Sequence, residues 1–138
     1  MMKTIKSSVI VSEDSKVATQ LTDILLKHDY TVTIEKSILK FICNILDKEI
    51  NLLILDMDVP KTFNLDSIEI IRKIRPRLPI IVVMADTSLD ALKTMVQKGV
   101  FYTAIKPVQS EDLNEVIKAL DLSETRKNRN SSYNCMIN

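Results

Sequence analysis

Two periods of apolar residues alternate along this chain. Short apolar runs stand at Ser8–Val11, Tyr30–Ile34, Leu52–Leu55, Ile80–Met84 and Val100–Ile105. Most are rich in β-branched residues and four to six residues long, which predicts strands. The first, third and fourth are nearly continuous in apolar character, as expected of strands buried on both faces of a parallel sheet. The second and fifth alternate more, as edge strands would.

Between the runs the period becomes that of a helix. The stripes are Val17, Leu21, Ile24 and Leu25; then Ile38, Phe41, Ile42, Ile45 and Leu46; then Ile68, Ile71 and Ile74; then Leu92, Met95 and Val96; and last Leu113, Val116, Ile117 and Leu120. Ser15, Ser37, Ser67, Ser88 and Ser110 lie near the expected helix starts, where a hydroxyl can accept an orphan backbone N–H, and Asp66 could serve in place of Ser67. Gly99 is placed to stop the fourth helix, and Pro76 and Pro79 close the third. Five strand–helix alternations with right-handed crossovers predict an α/β fold, a doubly wound parallel sheet covered on both faces. The pattern alone leaves strand order open.

After Leu122 the periodicity stops. Residues 123–138 are polar and Asn-rich, and the expectation is a flexible tail or the start of a linker after a domain spanning residues 1–122. Arg126, Lys127 and Arg129 make the tail locally basic, but a solvated tail is the plainer reading.

Composition narrows the classes of function. The 138 residues suit one domain, and 19 Lys and Arg against 18 Asp and Glu leave no field that would gather nucleic acid or an anionic membrane. Cys43 and Cys135 lack the spacing of a zinc site or a disulfide framework and read as free thiols. No apolar run approaches the roughly 20 residues of a membrane span, and the N-terminus lacks a signal-peptide core. A cytoplasmic location is the expectation.

Ligands of open α/β sheets gather beyond the carboxyl ends of the strands. Ser12, Glu13 and Asp14 follow the first run, Asp56 and Asp58 the third, Met84, Ala85 and Asp86 the fourth, and Lys106 and Pro107 the fifth. Carboxylates from two strand ends with a lysine from another suit a hard divalent cation and a phosphoryl group: the metal relieves carboxylate repulsion, and the ammonium neutralises a phosphoryl oxygen. Each residue alone has a plainer explanation. Glu13 or Asp14 is equally a helix cap, Lys106 a surface lysine and Pro107 a turn residue. Their joint spacing over five units carries the weight.

On these residues the chain resembles the receiver domain of response regulators in two-component signalling and phosphorelays, over about residues 7–121. Leu52–Pro60 is similar to the family's phosphorylation segment, Ile70–Arg75 with Leu78 and Pro79 to its third-helix ending, and Lys106 with Pro107 to its Lys-Pro pair. The resemblance implies a flavodoxin-like (βα)5 three-layer sandwich with strand order 2-1-3-4-5. It implies a regulatory phosphoacceptor, at most self-catalysing phosphoryl transfer and dephosphorylation. Asp56 would be the acceptor, and Lys106 the catalytic cation. Mg²⁺ (or Mn²⁺) would lie on Glu13 or Asp14, Asp56 and Asp58, and the peptide before Pro107 would be cis. Partners would be a histidine kinase or phosphotransfer protein and a downstream protein docking on the fourth helix, fifth strand and fifth helix; a homodimer is left open.

Four positions depart from the family. Ser12 replaces the first of its paired acids. Met84 stands where a Thr or Ser hydroxyl meets the phosphoryl group, and Thr103 where a switching aromatic stands, with Tyr102 on the other face of the strand. The segment Lys61–Asp66 is longer than usual, with Ser67 in place of the family's glycine. These losses give weight to a second reading, a phosphorylation-independent interaction module. A flavin-type electron carrier on the same layout is disfavoured, because Glu13 and Asp14 would repel a cofactor phosphate.

Overall fold

A computed structural model describes residues 5–57 and 65–137, with side chains described for 5–57 and 66–123. The residues up to Val108 form one compact unit and those from Gln109 a second. In chain order the elements are β1 (Lys6–Val11), α1 (Ser15–Lys27), β2 (Tyr30–Glu35), α2 (Ile38–Asn44) with a 3₁₀ turn at Ile45–Asp47, β3 (Leu52–Asp56), α3 (Leu65–Ile74), β4 (Ile80–Met84), α4 (Leu89–Gln97), β5 (Tyr102–Ile105) and α5 (Ser110–Ile137). The strands form one parallel sheet in the order β2-β1-β3-β4-β5, the flavodoxin-like arrangement.

Burial follows this order. β3 and β4, interior strands with continuous apolar sequences, are buried at every residue, whereas the edge strands β2 and β5 are mixed. Alternation along the strands then divides the core. Val9, Val11, Leu53, Leu55, Ile80 and Val82 share one cluster with Ile38 and Phe41 of α2, Ile68 and Ile71 of α3 and Met95 of α4. Ile10, Ile54, Ile81 and Val83 point the other way and are also buried, as are Leu21, Ile24 and Leu25 of α1.

The helix starts refine the sequence reading. Ser37 and Ser88 cap α2 and α4, accepting the backbone N–H of Lys40 and Ala91. At α1 the cap is Asp14, one residue before the expected Ser15, and Ser67 is a buried residue of the first turn of α3. Leu46 and Val96, expected on buried stripes, are exposed. The 3₁₀ turn after α2 accounts for Leu46, because the tighter winding rotates it off the inner face. For Val96 the structure offers no cause beyond its place on the outer side of the last turn. In the second unit, helical backbone runs from Ser110 to Ile137, so the change of composition at residue 123 is not a change of conformation. Polar side chains with fair helix propensity can prolong a helix that has already begun.

At the end of α4 the chain reverses through Gly99, at φ +77°. Its N–H reaches the carbonyl of Val96, and that of Val100 reaches Met95, the paired bonds of a Schellman closure. The Gly99 carbonyl accepts Nη2 of Arg72, whose Nη1 also holds the Leu78 carbonyl at 2.7 Å, so one guanidinium ties the end of α3 to the end of α4. A Cβ on Gly99 would touch Arg72 only at ordinary contact distance, so the cost of adding one lies in the backbone. Gly99→Ala is expected to lower unfolding free energy by about 1 kcal/mol, measured by urea denaturation.

Candidate functional site

Strand register builds the site. β1 and β3 pair with Val11 opposite Leu55, so the next residues, Ser12 and Asp56, emerge side by side at the carboxyl edge. The backbone N–H groups of Met57 and Lys106 reach the carbonyls of Val83 and Met84, which carries the ends of β3 and β5 to the same edge of β4. Lys106 therefore meets Asp56 across an intervening strand.

The Asp56 side chain is 1% exposed and that of Lys106 22%. A carboxylate so far from water requires compensation. Lys106 Nζ lies 2.9 Å from Asp56 Oδ1, and the Ser12 hydroxyl donates to Oδ2, also at 2.9 Å. Ser12 is itself buried and held in place, since its oxygen accepts the N–H of Asp14 at 3.0 Å. One cation and one neutral donor thus converge on one carboxylate. Such a group can act as an oxygen nucleophile, with an ammonium beside it to neutralise incoming negative charge.

The other candidate residues take different places. Glu13 is exposed. Asp14 is exposed too, and its Oδ1 accepts the backbone N–H groups of Lys16 and Val17, so its carboxylate is turned to the start of α1. Asp58 lies outside the described residues, as does most of the longer segment at 61–66. Met84 is buried within the hydrophobic cluster, and Thr103 is half-buried on β5 opposite Val82. The Lys106–Pro107 peptide is cis. Asp86 serves its own loop: the Ser88 N–H donates to it at 2.8 Å and holds its carboxyl below the usual range.

Among the described residues no three Asp, Glu, His or Cys side chains lie close enough to hold a metal ion. Mg²⁺ is commonly anchored by one or two carboxylates together with a phosphate. Here the buried carboxylate has a lysine and a hydroxyl beside it, and of the two acids that follow Ser12, Glu13 is exposed and Asp14 is spent on a helix cap. The cap has a measurable consequence. Asp14→Ala is expected to cost about 1 kcal/mol of stability in urea denaturation and Asp14→Asn a few tenths, because an amide oxygen caps nearly as well.

Sequence reasoning found Asp56 and Lys106 but treated Ser12 only as a lost acid. Its bond to Asp56 is a consequence of register: with parallel strands in the order β2-β1-β3, the residues that follow Val11 and Leu55 are neighbours. The resemblance already implied that strand order; the register of β1 against β3 was the missing premise.

The comparisons with known proteins agree with the fold. The family model described as response regulator receiver domain matches residues 9–118. No curated protein matches the sequence. Among solved structures, a CheY-like response regulator receiver domain protein from Methanospirillum hungatei is 27% identical, with a TM-score of 0.78, covering 89% of this chain and 99% of its own. A receiver domain protein from Clostridium thermocellum is 21% identical, with a TM-score of 0.76 and coverage of 88% and 98%. A chemotaxis response regulator of Vibrio cholerae is 15% identical, with a TM-score of 0.74 and coverage of 85% and 99%; at these lower identities the likeness is one of fold.

Proposed function

This chain belongs to the response regulator receiver family of two-component signalling, and from that premise we propose that Asp56 accepts a phosphoryl group from a histidine kinase or phosphotransfer protein. Receiver domains are regulatory rather than conventional enzymes, and the aspartyl phosphate would be the signal passed to a downstream protein. Among the described residues no helix is long and apolar enough to cross a membrane.

The observation that carries the reading is the buried pair of Asp56 and Lys106 at the carboxyl edge of the sheet. In the proposed step an Asp56 oxygen attacks phosphorus in line with the leaving group. The new O–P bond forms as the donor's P–N bond breaks, and the released imidazole nitrogen takes a proton from solvent. Phosphoryl transfer asks mainly for alignment and charge neutralisation. The Ser12 hydroxyl would hold the carboxylate's orientation, and the Lys106 ammonium would follow the charge from carboxylate to phosphoryl oxygens. Receiver domains of this family generally bind Mg²⁺. Asp56 is the one buried carboxylate among the described residues, and the Ser12 hydroxyl and the Lys106 ammonium stand beside it.

Incubation with a small phosphodonor such as acetyl phosphate or phosphoramidate, with and without Mg²⁺, tests the reading by intact mass. The expected result is the addition of a single phosphoryl group. No addition under either condition would reject it.

A further inference from the structure

We propose that the outer face of α2 is the contact surface of a weak, symmetric homodimer, in which α2 lies antiparallel to the α2 of a second copy of this chain. Leu39 and Leu46 are 68% and 72% exposed, and Cys43 is exposed between them, while Ile38, Phe41 and Ile45 on the other side of the same segment are buried in the core. At about 100° per residue in α2 and about 120° in the 3₁₀ turn that follows, Leu39, Cys43 and Leu46 fall within roughly 40° of one another. Ile42, half-buried, borders them on the core side. A single exposed leucine needs no explanation, but Leu39 and Leu46 aligned with a thiol between them make a contiguous apolar strip.

The charges beside the strip select its occupant. By the same winding Lys40 and Asp47, both exposed, share one flank of the strip, one near each end of the segment. A two-fold axis beside Cys43 reverses the second helix and returns each flank to the same side. Leu39 then meets Leu46 of the second copy, and Lys40 meets its Asp47, with the converse pairs formed by symmetry. Lys36 before the helix and Glu49 after it extend the same polarity, and exposed Lys48 opposes it. Parallel packing would instead set Lys40 against Lys40 and Asp47 against Asp47, so the charge order favours the antiparallel pair. A strip this short covers less than the roughly 800 Å² per partner of a standard interface, which makes the association weak and concentration-dependent.

Sedimentation of the full chain under reducing conditions, from about 20 µM to about 1 mM, reads association of this strength. The sedimentation coefficient is expected to rise with concentration toward that of a dimer. Lys40→Glu and Asp47→Lys each bring like charges together twice in the dimer and should weaken it roughly tenfold. The double variant restores opposite charges and should return to within about twofold of the parent. Both side chains are exposed, so the variants keep the fold, and recovery in the double variant reports the contact itself. A chain that stays monomeric throughout, leaving the strip to a different protein, or a double variant no tighter than the single ones, would overturn the proposal.

Neither readout involves Asp56 or a phosphodonor, so this inference stands or falls apart from the acceptor reading. Cys43 supplies a second arm. In a Cys135→Ser background a short bis-maleimide should join two chains through Cys43, because the axis passes beside it, and Lys40→Glu should cut the yield severalfold. Concentration-dependent sedimentation with Cys43 left unlinked would mean self-association through another face, and would overturn α2 as the contact.

Discussion

Asp56→Asn is expected to abolish phosphoryl addition from a small phosphodonor, with the fold intact. The amide is close in shape to the carboxylate and keeps an oxygen for the Ser12 hydroxyl or the Lys106 ammonium, but its oxygen is a far poorer nucleophile. Lys106, with 22% of its side chain already exposed, can carry its charge to solvent when its counter-charge is removed. The loss should therefore be chemical rather than structural. Intact mass after incubation with the donor, alongside an unchanged amide spectrum away from the site, is the measurement. A residual phosphoryl group on the variant would place the acceptor elsewhere.

Lys106→Met should have the opposite balance, with a large cost in stability. It leaves the Asp56 carboxylate, 1% exposed, without the cation at 2.9 Å. Breaking a buried ion pair from one side costs about 3–5 kcal/mol, and the lower end applies because Lys106 is partly in water. Asp56→Asn combined with Lys106→Met should recover about 2 kcal/mol of that loss, since the buried charge disappears with its partner. Urea denaturation of the two single variants and the double variant completes the cycle. If the two changes simply added, Asp56 would owe its stability to groups other than Lys106. Where Lys106→Met remains folded, phosphoryl addition should slow roughly a hundredfold, the scale of removing one preorganised charge stabiliser.

The pattern of apolar residues made the sheet legible because its strands differ in environment. Leu52–Leu55 and Ile80–Met84 are apolar throughout because both faces of those interior strands are covered, while Tyr30–Ile34 alternates as an edge strand does. The strand bounds were less legible where pairing rather than burial decides. β1 begins at Lys6, two residues before its apolar run, since Lys6 and Ser7 pair with Tyr30 and Thr31 although neither side chain is apolar. β5 begins at Tyr102, two residues after the apolar stretch starts, because Val100 is used to close α4.

The site was legible to a different depth at each residue. Asp56 and Lys106 stood out together, by their places at strand ends across five strand–helix units, although Lys106 alone read as a surface lysine. Asp14 looked like a metal ligand because its type is right for one, and only the backbone shows its oxygen facing the N–H groups of α1. Ser12 carries no charge and so gave no signal by composition. Its role appears only when the register of β1 against β3 sets it beside Asp56. Met84 and Thr103, the two positions without the family's hydroxyl and ring, sit in the core and on β5 and bring neither group to Asp56.

The central claim is that one particular carboxylate receives the phosphoryl group. Reducing the acyl phosphate with borohydride immediately after labelling converts the modified aspartate to homoserine, and peptide mass spectrometry then identifies the position. The account predicts homoserine at residue 56 alone. Homoserine at Asp58, Asp66 or another acid, with Asp56 unchanged, would contradict it.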